Sequence, residues 1–167
     1  MIINGDLQHA RIPLPAHGSA QASATRYWAG PTISLIGSFR RHYELIRDIA
    51  EFFAANGVAV PTPSVSTVLD PDASYPRLAC DLPELSDHDI QAATLARLLA
   101  SDAVYVVAPG GYIGLDTSME IGHILQAQVP LFLSAPIKNV TMAVGPMSVF
   151  SPARLLAWAH RAVLAVR

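Results

Sequence analysis

Residues 102–108 read DAVYVVA, a nearly continuous apolar run in the middle of the chain. A strand with one wet face alternates apolar and polar side chains. A strand without that alternation is covered on both faces, as strands of a parallel sheet are. One such strand commits the chain to helical layers above and below it, and the flanking sequence offers them. Leu45, Ile46, Ile49, Phe52 and Phe53 recur at helical spacing and predict a helix over residues 41–56. Asn56-Gly57 ends it, because glycine tolerates the left-handed conformation after a helix. Ser86 is an N-cap followed by Asp87 and Asp89, where the helix dipole favours acids, so a second helix runs to about Ala100. A third is expected over 117–128. A fourth opens at Ser151-Pro152, with proline at the first helical position, and runs to about Val166.

Between the helices lie further short strands, expected at 32–36, 58–60, 130–133 and 140–144. Alternating strands and helices imply an α/β fold with a single doubly wound, mostly parallel sheet and right-handed crossovers. For five strands the expected arrangement is flavodoxin- or Rossmann-like, order 2-1-3-4-5, with helices on both faces. In that order the chain reverses direction between the first and third strands. Ligands of open α/β sheets bind there, outside the carboxyl ends of the strands. The loops meeting at that point are residues 37–40 and 109–115.

Residues 1–30, rich in Ala, Ser, Pro and Gly, are expected to be a loosely ordered extension or one laid over the surface; 31–167 are expected to form one domain. Residues 62–86 hold four prolines and the acids Asp70, Asp72, Asp81 and Glu84 against a single Arg77. A connection of that length is a lid, a subunit-contact loop or an idle loop. With 51% apolar and 14% charged residues the chain is too hydrophobic for disorder. A net charge of −2 gives no electrostatic reason to expect nucleic acid or an anionic membrane as partner. No apolar run approaches the ~20 residues that span a bilayer, and residues 1–26 lack the pattern of a secretory signal. Cys80 stands alone and the six histidines show no ligand spacing, so neither a disulfide nor a metal site is expected. The expectation is a soluble, cytoplasmic protein.

Gly37-Ser38-Phe39-Arg40 leaves a strand and enters a helix. Glycine permits close approach, helix amides face an anion, and Ser38 with Arg40 can donate to phosphate or ribose. The spacing is neither GxGxxG nor GxxxxGK[ST]. A plain tight turn with a solvated arginine is the competing reading. Pro109-Gly110-Gly111-Tyr112-Ile113-Gly114 is the densest glycine stretch; such loops suit unusual dihedrals or a close ligand. Tyr112 could stack on a base or bond a sugar. Glu120 has two readings. Thr117-Ser118-Met119-Glu120 matches a capping box, in which Glu120 merely serves its own helix. Alternatively it is a carboxylate at the cleft floor that attacks an anomeric carbon or stabilises an oxocarbenium ion. Asp116 is either the N-cap or a second carboxylate near the sugar. His123 reads as an ordinary surface histidine.

Taken together, a first strand ending in Gly-Ser, the strand SDAVYVV, a Gly-rich loop and the helix SMEIGHILQAQVPLFL resemble the nucleoside 2-deoxyribosyltransferase superfamily, which includes the 2′-deoxynucleoside 5′-monophosphate N-glycosidases. The resemblance covers about residues 32–135 and rests most on small-x-x-Glu-x-Gly after a Gly-rich loop. It implies Glu120 as nucleophile, Tyr112 and Asp116 as the aromatic and acid of the third loop, and Ser38 with Arg40 at the phosphate or sugar. The candidate substrate-binding set adds Gly37, Phe39, Gly110, Gly111, Gly114 and Ser118. No cofactor is implied, and family habit implies at least a homodimer. Many members carry an acid eight positions ahead of Asp102; here that position is Thr94, and Asp89 is one and a half turns away. The segment from Pro109 to Glu120 also resembles the PGGxGTxxE stretch of phosphoribohydrolases that release cytokinin bases, with one residue inserted and no partner Arg-Lys segment. Both imply cleavage of an N-glycosidic bond in a nucleoside or nucleotide. Thr94 motivates the alternative of a non-catalytic nucleotide-binding module, and the acidic loop 62–86 that of an assembly subunit.

Overall fold

The run DAVYVVA does become the centre of the protein. In the computed structural model, which describes residues 30–64, 67–69, 77–141 and 148–165, it forms β4 (Ala103–Val107), paired in parallel with β1 (Ile33–Gly37) from Ile33↔Ala103 to Gly37↔Val107. All five residues of each strand are buried. β4 pairs on its other side with β5 (Leu131–Leu133), and β5 with β6 (Ser148–Val149), all parallel. The sheet order is β1-β4-β5-β6. A separate antiparallel pair joins β2 (Val68–Leu69) to β3 (Arg77–Leu78).

Side chains of a strand point alternately to opposite faces, so the central pair feeds two cores. Ile33, Leu35, Tyr105 and Val107 pack with Ile46 and Phe53 of α1 (Phe39–Ala55) and Leu155 of α4 (Pro152–Ala165). Ile36, Val104 and Val106 pack with Leu98 of α2 (Asp87–Ala100) and Ile121 and Ile124 of α3 (Leu115–Gln126). Tyr105 is fully buried, and its hydroxyl donates to the Phe150 carbonyl at 2.7 Å, which ties the sheet to the start of α4. Burial pushes its phenol up to about 12.

Two expectations need correction. Residues 58–60 do not form a strand: they make one parallel bridge, Ala59 to Thr32, with Ile33 N donating to Ala59 O at 2.9 Å. Pro61 and Pro63 follow directly, and proline has no N–H to extend a ladder. The five-stranded order 2-1-3-4-5 therefore reduces to four paired strands and a bridge. The strand expected at 140–144 falls partly outside the described residues, and the last strand lies later, at β6. The expected extension 1–30 lies outside the described residues except for Gly30. No helix among the described residues is long and apolar enough to cross a membrane.

The base of the central pair is pinned by Asp102. Its Oδ2 accepts from both the Thr32 amide and the Thr32 hydroxyl at 2.8 Å, while its own amide donates to Thr32 Oγ1 at 2.9 Å. Asp102→Ala leaves those donors without their acceptor. It should cost about 1–3 kcal/mol in urea unfolding; an unchanged midpoint would show that the clasp contributes nothing.

Candidate functional site

Parallel pairing of β1 and β4 brings their carboxyl ends together, and the loops leaving those ends lie side by side. Gly37 is glycine for a packing reason: a Cβ there would stand 2.6 Å from the Val107 carbonyl oxygen of the neighbouring strand. Ser38 is the N-cap of α1, yet its hydroxyl makes no capping bond. The helix begins at Phe39, two residues earlier than the periodicity placed it, so Ser38, Phe39 and Arg40 all stand at its opening and line a cavity of about 380 Å³. That volume lies within the range of small-ligand pockets.

The second loop makes the opposite wall. Gly110 and Gly111 adopt φ of 66° and 85°, in the region that favours glycine. A Cβ on Gly111 would collide with the Pro136 carbonyl, and the Gly111 carbonyl accepts from Lys138 N at 2.8 Å. Gly110 serves the turn and Gly111 both the turn and its packing on the segment after β5; neither lines the cavity. Asn139 holds the loop further along, accepting from Ile113 N at 3.0 Å and donating to Ile113 O at 2.8 Å. Tyr112 does line the cavity, half-buried, with the Arg41 guanidinium 3.8 Å from its ring centre.

Gly114, extended at φ −82°, is the N-cap of α3 and another lining residue. The helix therefore starts at Leu115, and the capping box expected from Thr117 to Glu120 does not form. Asp116 is not the N-cap but an exposed first-turn residue on the cavity wall. The Ser118 hydroxyl donates to the Gly114 carbonyl at 2.9 Å and stays outside the lining. His123 is exposed, in the last turn.

Glu120 lies one turn beyond Asp116, lines the cavity and is only 8% exposed. Burial pushes its carboxyl up to about 7; a hydrogen bond from Gln91 opposes that and the charge of Asp116 reinforces it. The Gln91 contact runs from Nε2 to Glu120 Oε1 at 3.3 Å. Gln91 escaped the sequence reading because the contact joins two helices across 29 residues, with no local pattern to announce it. Thr94, one turn further along α2, also lines the cavity, so the helix that carries an acid in the resembled family presents an amide and a hydroxyl. Asp89 is spent elsewhere, closing a capping box with Ser86. The rest of the lining includes Thr62, Pro63 and Ser64 before β2 and Leu78, Cys80 and Asp81 at and after β3. Arg77 anchors that segment to α2 through Asp87 at 2.7 Å.

Comparison with protein-family models and with curated proteins returns no match to this chain. The fold and site define a parallel α/β protein with a ligand-sized cleft at the carboxyl ends of its strands and a buried, protonatable carboxyl group in it.

The raised carboxyl links stability to pH. Glu120 holds its proton more tightly folded than unfolded, so its contribution is full below about 4.5 and is lost as pH rises through about 7. Glu120→Gln, always neutral, lacks that loss. Its unfolding free energy should exceed that of the wild type by on the order of 3 kcal/mol at about pH 8, and by little at about pH 4. Parallel pH profiles for the two proteins would contradict the burial of a titrating group.

Proposed function

We propose that the protein hydrolyses or transfers the N-glycosidic bond of a nucleoside or nucleoside 5′-monophosphate, with Glu120 as nucleophile. The observation that carries this reading is the buried Glu120 carboxyl, which faces the cavity from α3 and does not cap its own helix. In the first step a Glu120 oxygen bonds to the anomeric carbon. The electron pair of the broken C–N bond leaves with the base, which takes up a proton from solvent. In the second step water, or a second base, adds to the anomeric carbon and gives up a proton to solvent, and Glu120 departs as a carboxylate. Asp116 is the proposed second carboxylate near the sugar, and Tyr112 orients the sugar or Glu120. Ser38 and Arg40 hold the phosphate end at the start of α1, where helix amides favour an anion. The carboxylate provides the covalent step, so the reaction calls for no metal or organic cofactor. The family resemblance also implies a homodimer or larger homo-oligomer, and Leu115, 85% exposed at the cavity rim, is apolar surface a second copy could cover.

A second reading, a nucleotide-binding module without chemistry, is favoured by Gln91 and Thr94, which leave the α2 wall of the cavity without an acid. Incubation with a panel of nucleosides and monophosphates, followed by chromatography for free base, separates the two. The enzyme reading expects base release that falls at least about a thousandfold in Glu120→Ala. It also expects kcat/KM to rise with pH through about 7, because the nucleophile must be ionised. Ligand-induced thermal stabilisation without any base release selects the binding module. Arg40→Ala should raise KM for the monophosphate about tenfold and leave the nucleoside nearly unaffected; equal effects on both would remove Arg40 from the phosphate site.

A further inference from the structure

The Gln91–Glu120 contact goes further than a hydrogen bond in a cavity wall. Among the described residues it is the sole hydrogen bond of the Glu120 carboxyl, and it comes from a different helix. α2 is a firm platform for it: its start is locked by the Ser86–Asp89 capping box, and Ile90, beside Gln91, is buried. Its far end is tied by Ser101, whose hydroxyl donates to Arg97 O at 2.8 Å and bonds Ser34 of β1 at 2.6 Å. Gln91 thus reaches the carboxyl from a fixed base.

A primary amide carries a donor and an acceptor on the same carbon. With Nε2 turned toward Glu120 it donates to the ionised carboxylate. Turned over, its Oε1 accepts from the protonated acid. An arginine or lysine there would serve only the first state, and a carboxylate would repel it. We propose that Gln91 is the positioning residue of Glu120, holding its carboxyl in the cavity in either protonation state by turning its amide over. This rests on the reading of Glu120 as the reacting group, and it adds what the resembled family does not supply: a neutral partner on the α2 wall in place of an acid.

The other titratable or charged groups around the same cavity are Arg40 from α1, Cys80 and Asp81 from the segment after β3, Arg97 from α2, Tyr112 from the loop after β4 and Asp116 from α3. Of these, Asp116 is the one whose charge acts on Glu120, and it favours the protonated form. Gln91 is the group that favours ionisation. It therefore lowers, against the larger effect of burial, the pH at which Glu120 becomes a carboxylate.

The test is a pH titration of the full chain carrying ¹³Cδ-labelled glutamate, followed by NMR, for wild type, Gln91→Met and Gln91→Glu. Methionine keeps the length without the amide, and the charge-assisted bond to the carboxylate is the stronger of the two it removes, so the Glu120 midpoint should move up by about one unit. Glutamate should raise it and split the titration into two coupled steps. A Glu120 midpoint unmoved in Gln91→Met overturns the proposal. Should that variant not fold, the wild type carries its own reading: the Gln91 side-chain NH₂ resonances should shift with the same midpoint as the Glu120 carboxyl, and signals indifferent to that titration overturn the proposal. Base release is assayed in parallel. If the wild type releases no base while the carboxyl midpoint still depends on Gln91, the nucleophile reading fails and the positioning of Glu120 by Gln91 stands.

Discussion

Burial of the β1–β4 pair on both faces is the constraint from which the rest of the structure follows. Neither strand exposes a side chain, so each needs a helical layer above and below, and the two cores on either side of the sheet provide it. The helices in turn require parallel strands with crossovers, because a hairpin could not place a helix between them. Parallel strands bring like ends together. The loops after Gly37 and Val107 therefore meet at one edge, and the helices α1 and α3 begin there with their amide ends toward the same cavity. The cleft is a consequence of the sheet rather than a feature added to it.

Within that cleft the governing effect is desolvation. Glu120 is buried on α3 with a single neutral donor for company and Asp116 one turn away. Burial outweighs the hydrogen bond, which is why the carboxyl sits near 7 rather than in the ordinary carboxylate range. A group in that position changes charge near neutral pH, so both the stability of the fold and any chemistry at Glu120 are tied to its proton. Leu78 of β3 and the residues flanking the β2–β3 pair add to the lining, and Arg77 of β3 anchors the pair to Asp87 and the Leu85 carbonyl at 2.9 Å, at the start of the helix that presents Gln91.

Much of this was legible in the chain. DAVYVVA announced a strand covered on both faces, Ser86 announced a helix start, and Ser151-Pro152 another; each is a local signal whose meaning does not depend on distant residues. The two loops at the strand ends followed from topology alone. What the chain hid was tertiary. Thr117 to Glu120 has the local form of a capping box, but Gly114 takes the cap through backbone geometry, without a side chain to advertise it. Gly110 and Gly111 looked like residues opened for a ligand, and they serve the turn instead, with Gly111 packed against Pro136 and Lys138, brought in from after β5. The strand at 58–60 had the right composition and lost its ladder to the prolines beside it. Gln91 had no pattern at all, since its meaning lies in a partner on another helix.

In the proposed reaction Glu120 forms a bond to the anomeric carbon. The most direct measurement is mass spectrometry of the proteolytic peptide that carries Glu120, after the protein is mixed with a 2′-deoxynucleoside 5′-monophosphate and quenched in acid. The proposed reaction yields a peptide heavier by the sugar phosphate, with the added mass located on Glu120. Free base released while that peptide stays unmodified at every quench time, or an adduct on a different residue, would contradict it.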